Sequence, residues 1–211
     1  LKVDKTGQTI NSYNVHAVEY IEESLRRGVR AKDIEWIFSK VTRKNPKVVE
    51  LGCGNGRDAK EILKYTHDYL GMDASEDLIK EARRYNPGVR FKVSKFNEFI
   101  FPKNVDIIIA FASLLHADME TFKAVLMNAN RSLNDGGTFF ISLQNGEYRE
   151  VKREDNMGTR TFYLYTPENV ESMLPGELVK EYADFQDLRG KRWFSLTLRK
   201  QSIYNPTNGK G

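Results

Sequence analysis

Val48-Val49-Glu50-Leu51-Gly52-Cys53-Gly54-Asn55-Gly56-Arg57 reads as a buried strand that runs into a glycine loop and on into a helix. Glu50 closes the strand, and glycine recurs at 52, 54 and 56. Without a Cβ at these positions the chain can turn sharply and a nucleoside can lie directly against the backbone. A strand, loop and helix in this order also brings backbone N–H groups up to a ligand. An ordinary strand-to-helix turn would not need so many glycines behind an acidic strand end.

Upstream of this stretch, residues 1–11 are polar and expected to be loose. Ser12–Arg27 predicts a helix with Ala17, Val18, Ile21 and Leu25 on one face and Tyr13 and Tyr20 at or beside it. Ala31–Arg43 predicts a second helix, carrying Ile34, Ile37, Phe38 and Val41 and stopped by Asn45-Pro46. Downstream, the helix after the loop turns Ala59, Ile62 and Leu63 inward, and Tyr69–Asp73 forms the next strand. Ser75 caps a helix that buries Leu78, Ile79, Ala82 and Tyr85. Val89–Val93 is a third strand, and Asp106–Phe111 is apolar enough to be a central strand covered on both faces. Asp118 caps a helix through Leu133, and Asn134-Asp135-Gly136-Gly137 turns the chain into a fifth strand, Thr138–Leu143. This alternation predicts an α/β fold, a Rossmann-like doubly wound sheet with helices on both faces.

After residue 144 the rhythm changes. Tyr148–Arg160 is a charged segment, either a solvated loop or a surface for an anionic partner, and Arg160–Tyr165 predicts a short extra strand. Thr166-Pro167 opens a short helix. Leu178–Phe185 and Arg192–Arg199 are close enough to pair antiparallel, and the last ten residues read as a disordered tail.

With 211 residues and no linker or repeat, the expectation is one domain over 1–211: a helical cap at 1–45, the α/β core at 46–200 and a tail at 201–211. The net charge of +4 is scattered, which permits a nucleic-acid partner without favouring one. A single Cys excludes an internal disulfide framework, and 3 scattered His give no metal-ligand spacing, so no metal is expected. No apolar run reaches membrane-spanning length and no signal-peptide core is seen, which makes a reduced, cytoplasmic setting the default expectation.

Asp73 ends the second strand, beside the glycine loop, where a carboxylate can accept both hydroxyls of a ribose. A dinucleotide fingerprint would place its third glycine at position 57, where Arg57 stands, and no Gly-Lys-Ser/Thr follows the loop. Nothing here is built to hold a pyrophosphate.

Taken with Gly71-Met72-Asp73-Ala74-Ser75, the stretch Glu50–Gly56 resembles the first two motifs of class I S-adenosylmethionine-dependent methyltransferases. Val105–Ser113 with Leu114-Leu115-His116 resembles the family's fourth-strand motif, and Leu133–Thr138 its approach to strand five. The resemblance covers roughly residues 12–200. It implies a mostly parallel seven-stranded sheet with an antiparallel last strand, and S-adenosylmethionine as cofactor. It also implies a cofactor-contacting set of Glu50, Gly52, Cys53, Gly54, Asn55, Gly56, Arg57, Asp73, Ala74, Phe96, Asn97 and Phe111. Within that set the loop backbone would lie against the methionine part and Asp73 would hold the ribose. Adenine would sit near Lys95-Phe96-Asn97, although Lys95 departs from the acidic residue common there and cannot accept a hydrogen bond.

The sulfonium already activates the methyl group, so the protein must chiefly align a nucleophile and exclude water. His116 is the candidate polar group facing an acceptor, or else a helix-entry residue touching only backbone or solvent. Tyr13, with Tyr20, is a candidate lid residue, or else core packing. Phe162, Tyr163, Tyr165 and Trp193 are candidates for an aromatic acceptor pocket, or strand-face packing. Cys53 reads as a small filler. Phe111-Ala112-Ser113-Leu114 lacks the Asn/Asp-Pro-Pro-Tyr/Phe of enzymes that methylate adenine or glutamine nitrogens, and no Pro-Cys nucleophile for cytosine C5 exists. A small-molecule acceptor is therefore the leading reading. RNA or protein acceptors, or a non-catalytic S-adenosylmethionine-binding protein, stand as alternatives, with an NAD-binding oxidoreductase last.

Overall fold

The structure, a computed structural model, describes residues 4–202. The chain begins with three helices, α1 (Lys5–Val15), α2 (Ala17–Arg27) and α3 (Ala31–Ser39). The core follows as β1 (Val48–Leu51), α4 (Ala59–Ile62), β2 (Tyr69–Asp73), α5 (Glu76–Tyr85), β3 (Arg90–Val93), β4 (Val105–Phe111), α6 (Met119–Ser132) and β5 (Leu133–Gln144). It closes with β6 (Arg149–Asp155), β7 (Gly158–Leu164), α7 (Pro167–Glu171), β8 (Leu178–Leu188) and β9 (Lys191–Lys200).

Seven strands form one sheet in the order β3-β2-β1-β4-β5-β9-β8. The first five of these run parallel, and β9 enters antiparallel between β5 and β8. Pleat alternation divides β4 between two cores. Ile107, Ile109 and Phe111 pack with Ile34 and Ile37 of α3 and Ile79 of α5, whereas Ile108 and Ala110 pack with Phe122 and Leu126 of α6 and Val170 of α7. Helices therefore cover both faces, which is why β4 is buried along its whole length. Three caps expected from the sequence are made: Ser75 accepts from Leu78 N, Asp118 from Thr121 N, and Thr166 forms a capping box with Asn169. No helix among the described residues is long and apolar enough to cross a membrane. The tail expected at 201–211 lies, from residue 203, outside the described residues.

Several expectations need correction. Residues 5–11 are not loose but form most of α1, held by an Asp4 cap on Gly7 N. The single helix expected over Ser12–Arg27 is broken at His16. On α2, Val18 and Leu25 are exposed at 68% and 52%, and the buried stripe is Ala17, Ile21 and Ser24. Ser24 is buried because its hydroxyl donates to Asn55 Oδ1 at 3.0 Å, a polar anchor that apolar periodicity cannot show. Tyr85, expected in the core, is 38% exposed. The glycine loop does not open directly into a helix: residues 54–58 are turns, and α4 is a single short turn after them. The charged segment expected as a loop contains β6, which pairs with β7 as a separate antiparallel hairpin.

Asp58 binds the N-terminal helices to the glycine loop. It accepts from Arg30 N at 3.0 Å and pairs with Arg30 at 2.5 Å and Arg57 at 2.9 Å. Arg57 also donates to Ser24 O of α2 at 3.1 Å. The Asp58 and Arg57 side chains are only 3% and 8% exposed. Removing one member of a buried pair leaves the other uncompensated, at a cost of about 3–5 kcal/mol. Asp58→Ala, which strands Arg57, is expected to lower the urea-unfolding free energy by that order. Arg57→Ala, which leaves Asp58 its Arg30 partner, should cost clearly less.

Candidate active site

The carboxyl ends of β1, β2 and β4 form the floor of a cavity of about 110 Å³. Gly52 N and Cys53 N both donate to Met72 O, at 2.7 and 2.9 Å. Gly54 N donates to Asp73 Oδ2 at 2.9 Å, and Gly56 N to Cys53 O at 3.0 Å. This corrects the expectation of bare N–H groups facing a ligand: these four donors are spent inside the fold. A loop with its donors turned inward is no phosphate cradle, which agrees with the missing dinucleotide spacing. Gly52 has φ +74°, and a Cβ there would overlap the Ser113 side chain, whose hydroxyl donates to Leu51 O at 2.6 Å. β1 and the chain leaving β4 thus approach so closely that only glycine fits at 52.

Asp73 is bonded on both oxygens, accepting from Gly54 N and from Ser75 N at 2.9 Å each. Burial raises its pKa, and the N–H groups of Ser75, Gly54 and Ala74 oppose that rise. A carboxylate oxygen has lone pairs beyond one N–H bond, so the group retains acceptor capacity toward the cavity it lines.

Of the residues singled out from sequence, the structure brings Gly52, Asp73, Ala74, Phe96, Phe111, Tyr13 and His116 to the cavity wall. It places seven others away from that wall, among them Gly54, which lies beneath Tyr20 with its N–H on Asp73 Oδ2. Glu50 is buried, accepts from Tyr69 Oη at 2.6 Å, and has its pKa pushed up to about 8 by burial and then by Asp58. The Cys53 thiol points toward Gly71, and burial raises its pKa. Asn55 is tied to Ser24, Gly56 lies against Asn86 and Phe91, and Arg57 is held by Asp58. Asn97 sits in the turn beyond the lining residue Phe96. Lys95 does reach the wall, and its ammonium lies 3.4 Å from Glu98.

Sequence reasoning named Tyr13 and Tyr20 as lid candidates but missed the rest of the roof. Thr6, Thr9 and Ile10 of α1 line the cavity beside Tyr13, and Tyr20 of α2 reaches over Gly54, where a Cβ would come within 3.2 Å of its hydroxyl. The β7 strand holds α1 in place: Ser12 Oγ donates to Thr159 O at 2.6 Å and Thr161 N donates to Thr9 Oγ1 at 3.0 Å. The small polar residues at 9 and 12, one helical turn apart, were the available signal.

His116 joins floor and roof. Nδ1 lies 2.7 Å from Thr161 O, which can only accept, so this nitrogen carries the proton. Nε2 is then an acceptor, and Tyr13 Oη donates to it at 2.9 Å. Burial lowers the His116 pKa to about 4, with the cations of Arg160 and Arg153 acting in the same direction, so the imidazole is neutral at pH 7. Burial likewise raises the Tyr13 pKa and keeps its hydroxyl protonated. The result is a neutral donor–acceptor pair on the cavity wall, able to pass a proton or orient a polar group.

The four candidate pocket aromatics do not converge. Phe162 packs against the His116 ring at 4.6 Å between centroids, but Tyr163 faces the opposite side of the strand, stacking with Tyr148 at 6.3 Å. Tyr165 is fully buried and donates to Ala117 O at 2.7 Å. Trp193 lines a second cavity, of about 290 Å³, between the α2–α3 link and the β8–β9 tip. Among the described residues, no group of three or more His, Cys, Asp or Glu side chains is placed to hold a metal.

This arrangement can be compared with known proteins. Residues 48–137, from β1 to the start of β5, match the family model described as a methyltransferase domain. Over that segment, a little under half of its length, the chain is similar to a methyltransferase domain. A sterol 24-C-methyltransferase of Aspergillus fumigatus is 34% identical over 104 residues, 45% of this chain and 27% of that protein. An mRNA cap guanine-N(7) methyltransferase of Eremothecium gossypii is 28% identical over 142 residues, 55% of this chain and 32% of that protein. The chain thus spans about a third of the length of these curated relatives. The Burkholderia thailandensis 1,6-didemethyltoxoflavin-N1-methyltransferase, solved with 1,6-didemethyltoxoflavin and S-adenosylhomocysteine bound, superposes with TM-score 0.72 over 96% of this chain and 92% of that one. At 16% identity this is a likeness of fold. The matched segment contains the glycine loop, Asp73 and His116, whereas the α1 roof and the β6–β7 hairpin lie outside it.

The bonding of His116 sets a pH response. An unfolded His titrates near 6.5 and the folded one near 4, so between these values the unfolded chain binds more protons. The His116 contribution to stability is complete above about pH 6.5 and is lost as pH falls toward about 4. Urea titrations over this range should show wild type losing stability relative to His116→Asn, which keeps a donor for Thr161 O but does not titrate.

Proposed function

We propose that this chain transfers the methyl group of S-adenosylmethionine to a small-molecule acceptor by in-line displacement. The observation that carries the reading is the cavity at the carboxyl ends of β1, β2 and β4. It combines a loop whose donors are turned inward, a close approach at Gly52 and a two-sided bonded Asp73. These residues fit the cofactor. Asp73 offers acceptors for a ribose diol, Phe96 and Leu78 give apolar surface for the adenine, and Gly52 leaves room for the methionine part. When bound, S-adenosylmethionine supplies an electrophilic methyl on a sulfonium. Tyr20 and α1 cover the site and exclude water, while Tyr13 and His116 present the polar pair that orients the acceptor or accepts its proton. The sterol methyltransferase relative and the toxoflavin-type neighbour act on small molecules by their names, which supports this acceptor class. The lone buried Cys53 goes with the cytoplasmic setting we include in the reading.

The cap methyltransferase relative favours a second reading, an RNA acceptor. Binding of a capped RNA that weakens steeply with added salt would support it, and no affinity at low salt would remove it.

The first reading is tested by calorimetric titration with S-adenosylhomocysteine. Micromolar binding is expected, and Asp73→Ala should weaken it by about 10- to 100-fold, since each charged hydrogen bond contributes roughly 1.5–3 kcal/mol. Absence of binding by the wild type at millimolar ligand would refute the cofactor assignment.

A further inference from the structure

The β6–β7 hairpin carries an arrangement that stability alone does not favour. Arg153 and Arg160 are directly opposed across its two strands. Like charges at opposed positions repel and share one face of the ladder. That face is the one carrying Phe162, which packs on His116. The Arg153 guanidinium lies over the Phe162 ring at 4.0 Å, and that of Arg160 lies 5.5 Å from both the Phe162 and the Tyr13 rings. The anion beside them is Asp155, which Arg160 engages through both oxygens at 2.7 and 2.8 Å. Arg153 has no carboxylate partner among the described residues and donates to the uncharged Gln144 Oε1 at 2.5 Å. Arg160 Nε is buried and unpartnered. Lys191 at the β8–β9 tip adds a third basic group, whose charged form is disfavoured by burial first and then by Arg153 and Arg160, against Asp155.

Two guanidiniums beside the Tyr13–His116 pair, with one carboxylate between them, have donors to spare for a bidentate oxyanion. We propose that Arg153 and Arg160 hold an oxyanion of the methyl acceptor, a carboxylate or a phosphate, and so set its orientation beside His116. This rests on the methyltransferase reading above and names the class of acceptor for that site.

The test is calorimetric titration of the protein saturated with S-adenosylhomocysteine, using inorganic phosphate and citrate as separate probes. Millimolar or tighter binding of at least one probe is expected, and the stronger probe identifies which oxyanion the site prefers. Arg153→Gln should weaken binding at least fivefold and Arg153→Lys less. Lys152→Gln, which removes the same charge one position away, should leave binding within twofold. S-adenosylhomocysteine affinity measured on every variant reports folding independently. If Arg160→Gln loses that affinity, the Arg153 variants alone decide. Failure of both probes to bind, or equal weakening by Arg153→Gln and Lys152→Gln, would overturn the oxyanion proposal. A wild type that does not bind S-adenosylhomocysteine would instead overturn the cofactor reading.

Discussion

Asp73 joins three elements through one carboxylate. One oxygen holds Gly54 of the loop after β1, and the other holds Ser75, which caps α5. Because Gly52 N and Cys53 N converge on Met72 O next to it, the whole glycine loop is suspended from the end of β2. The cavity depends on this suspension. It draws the loop donors away from the ligand side and leaves a surface made of glycine backbone and a carboxylate. Such a surface suits hydroxyls and positive charge better than phosphate.

The roof is built by a different mechanism. α1 has little apolar surface to bury and is fixed by side-chain to backbone hydrogen bonds from Thr9 and Ser12 to β7. β7 in turn receives His116 Nδ1–H at Thr161 O. One strand thus orients both members of the Tyr13–His116 pair, and the same hairpin delivers two arginines to it. Polar fastening of this kind is individually weak, about 1 kcal/mol per bond. The roof stands apart from the two apolar cores on the faces of the sheet, its tyrosines packing with the small cluster of Ala17, Ile21 and Leu78.

Much of this was legible in sequence where the signal is local. The apolar run of β4, the caps at Ser75, Asp118 and Thr166, and the order of strands and helices follow from propensity and periodicity, and they suffice for the doubly wound sheet. The pairing of β8 with β9 followed from their closeness in the chain. Of the roof, only the tyrosines Tyr13 and Tyr20 were legible. Residues 5–11 look loose because α1 lacks an apolar stripe, and β6 looks like a solvated segment because most of its residues are charged. Their partners lie more than a hundred residues away or across a hairpin, beyond the reach of periodicity.

By itself the sequence determined the loop, its acidic strand end and Asp73, because a close backbone approach admits glycine alone and a strand end has a definite address in a parallel sheet. Only the tertiary structure decided which way each group points. It turned the loop N–H groups inward, gave Arg57 to Asp58 instead of the cavity, and separated Phe162 from Tyr163 across a pleat. It also set His116 as an Nδ1–H tautomer against Tyr13. Direction is a property of long-range contacts: a residue's type says what it can donate or accept, and its neighbours in space settle where it does so.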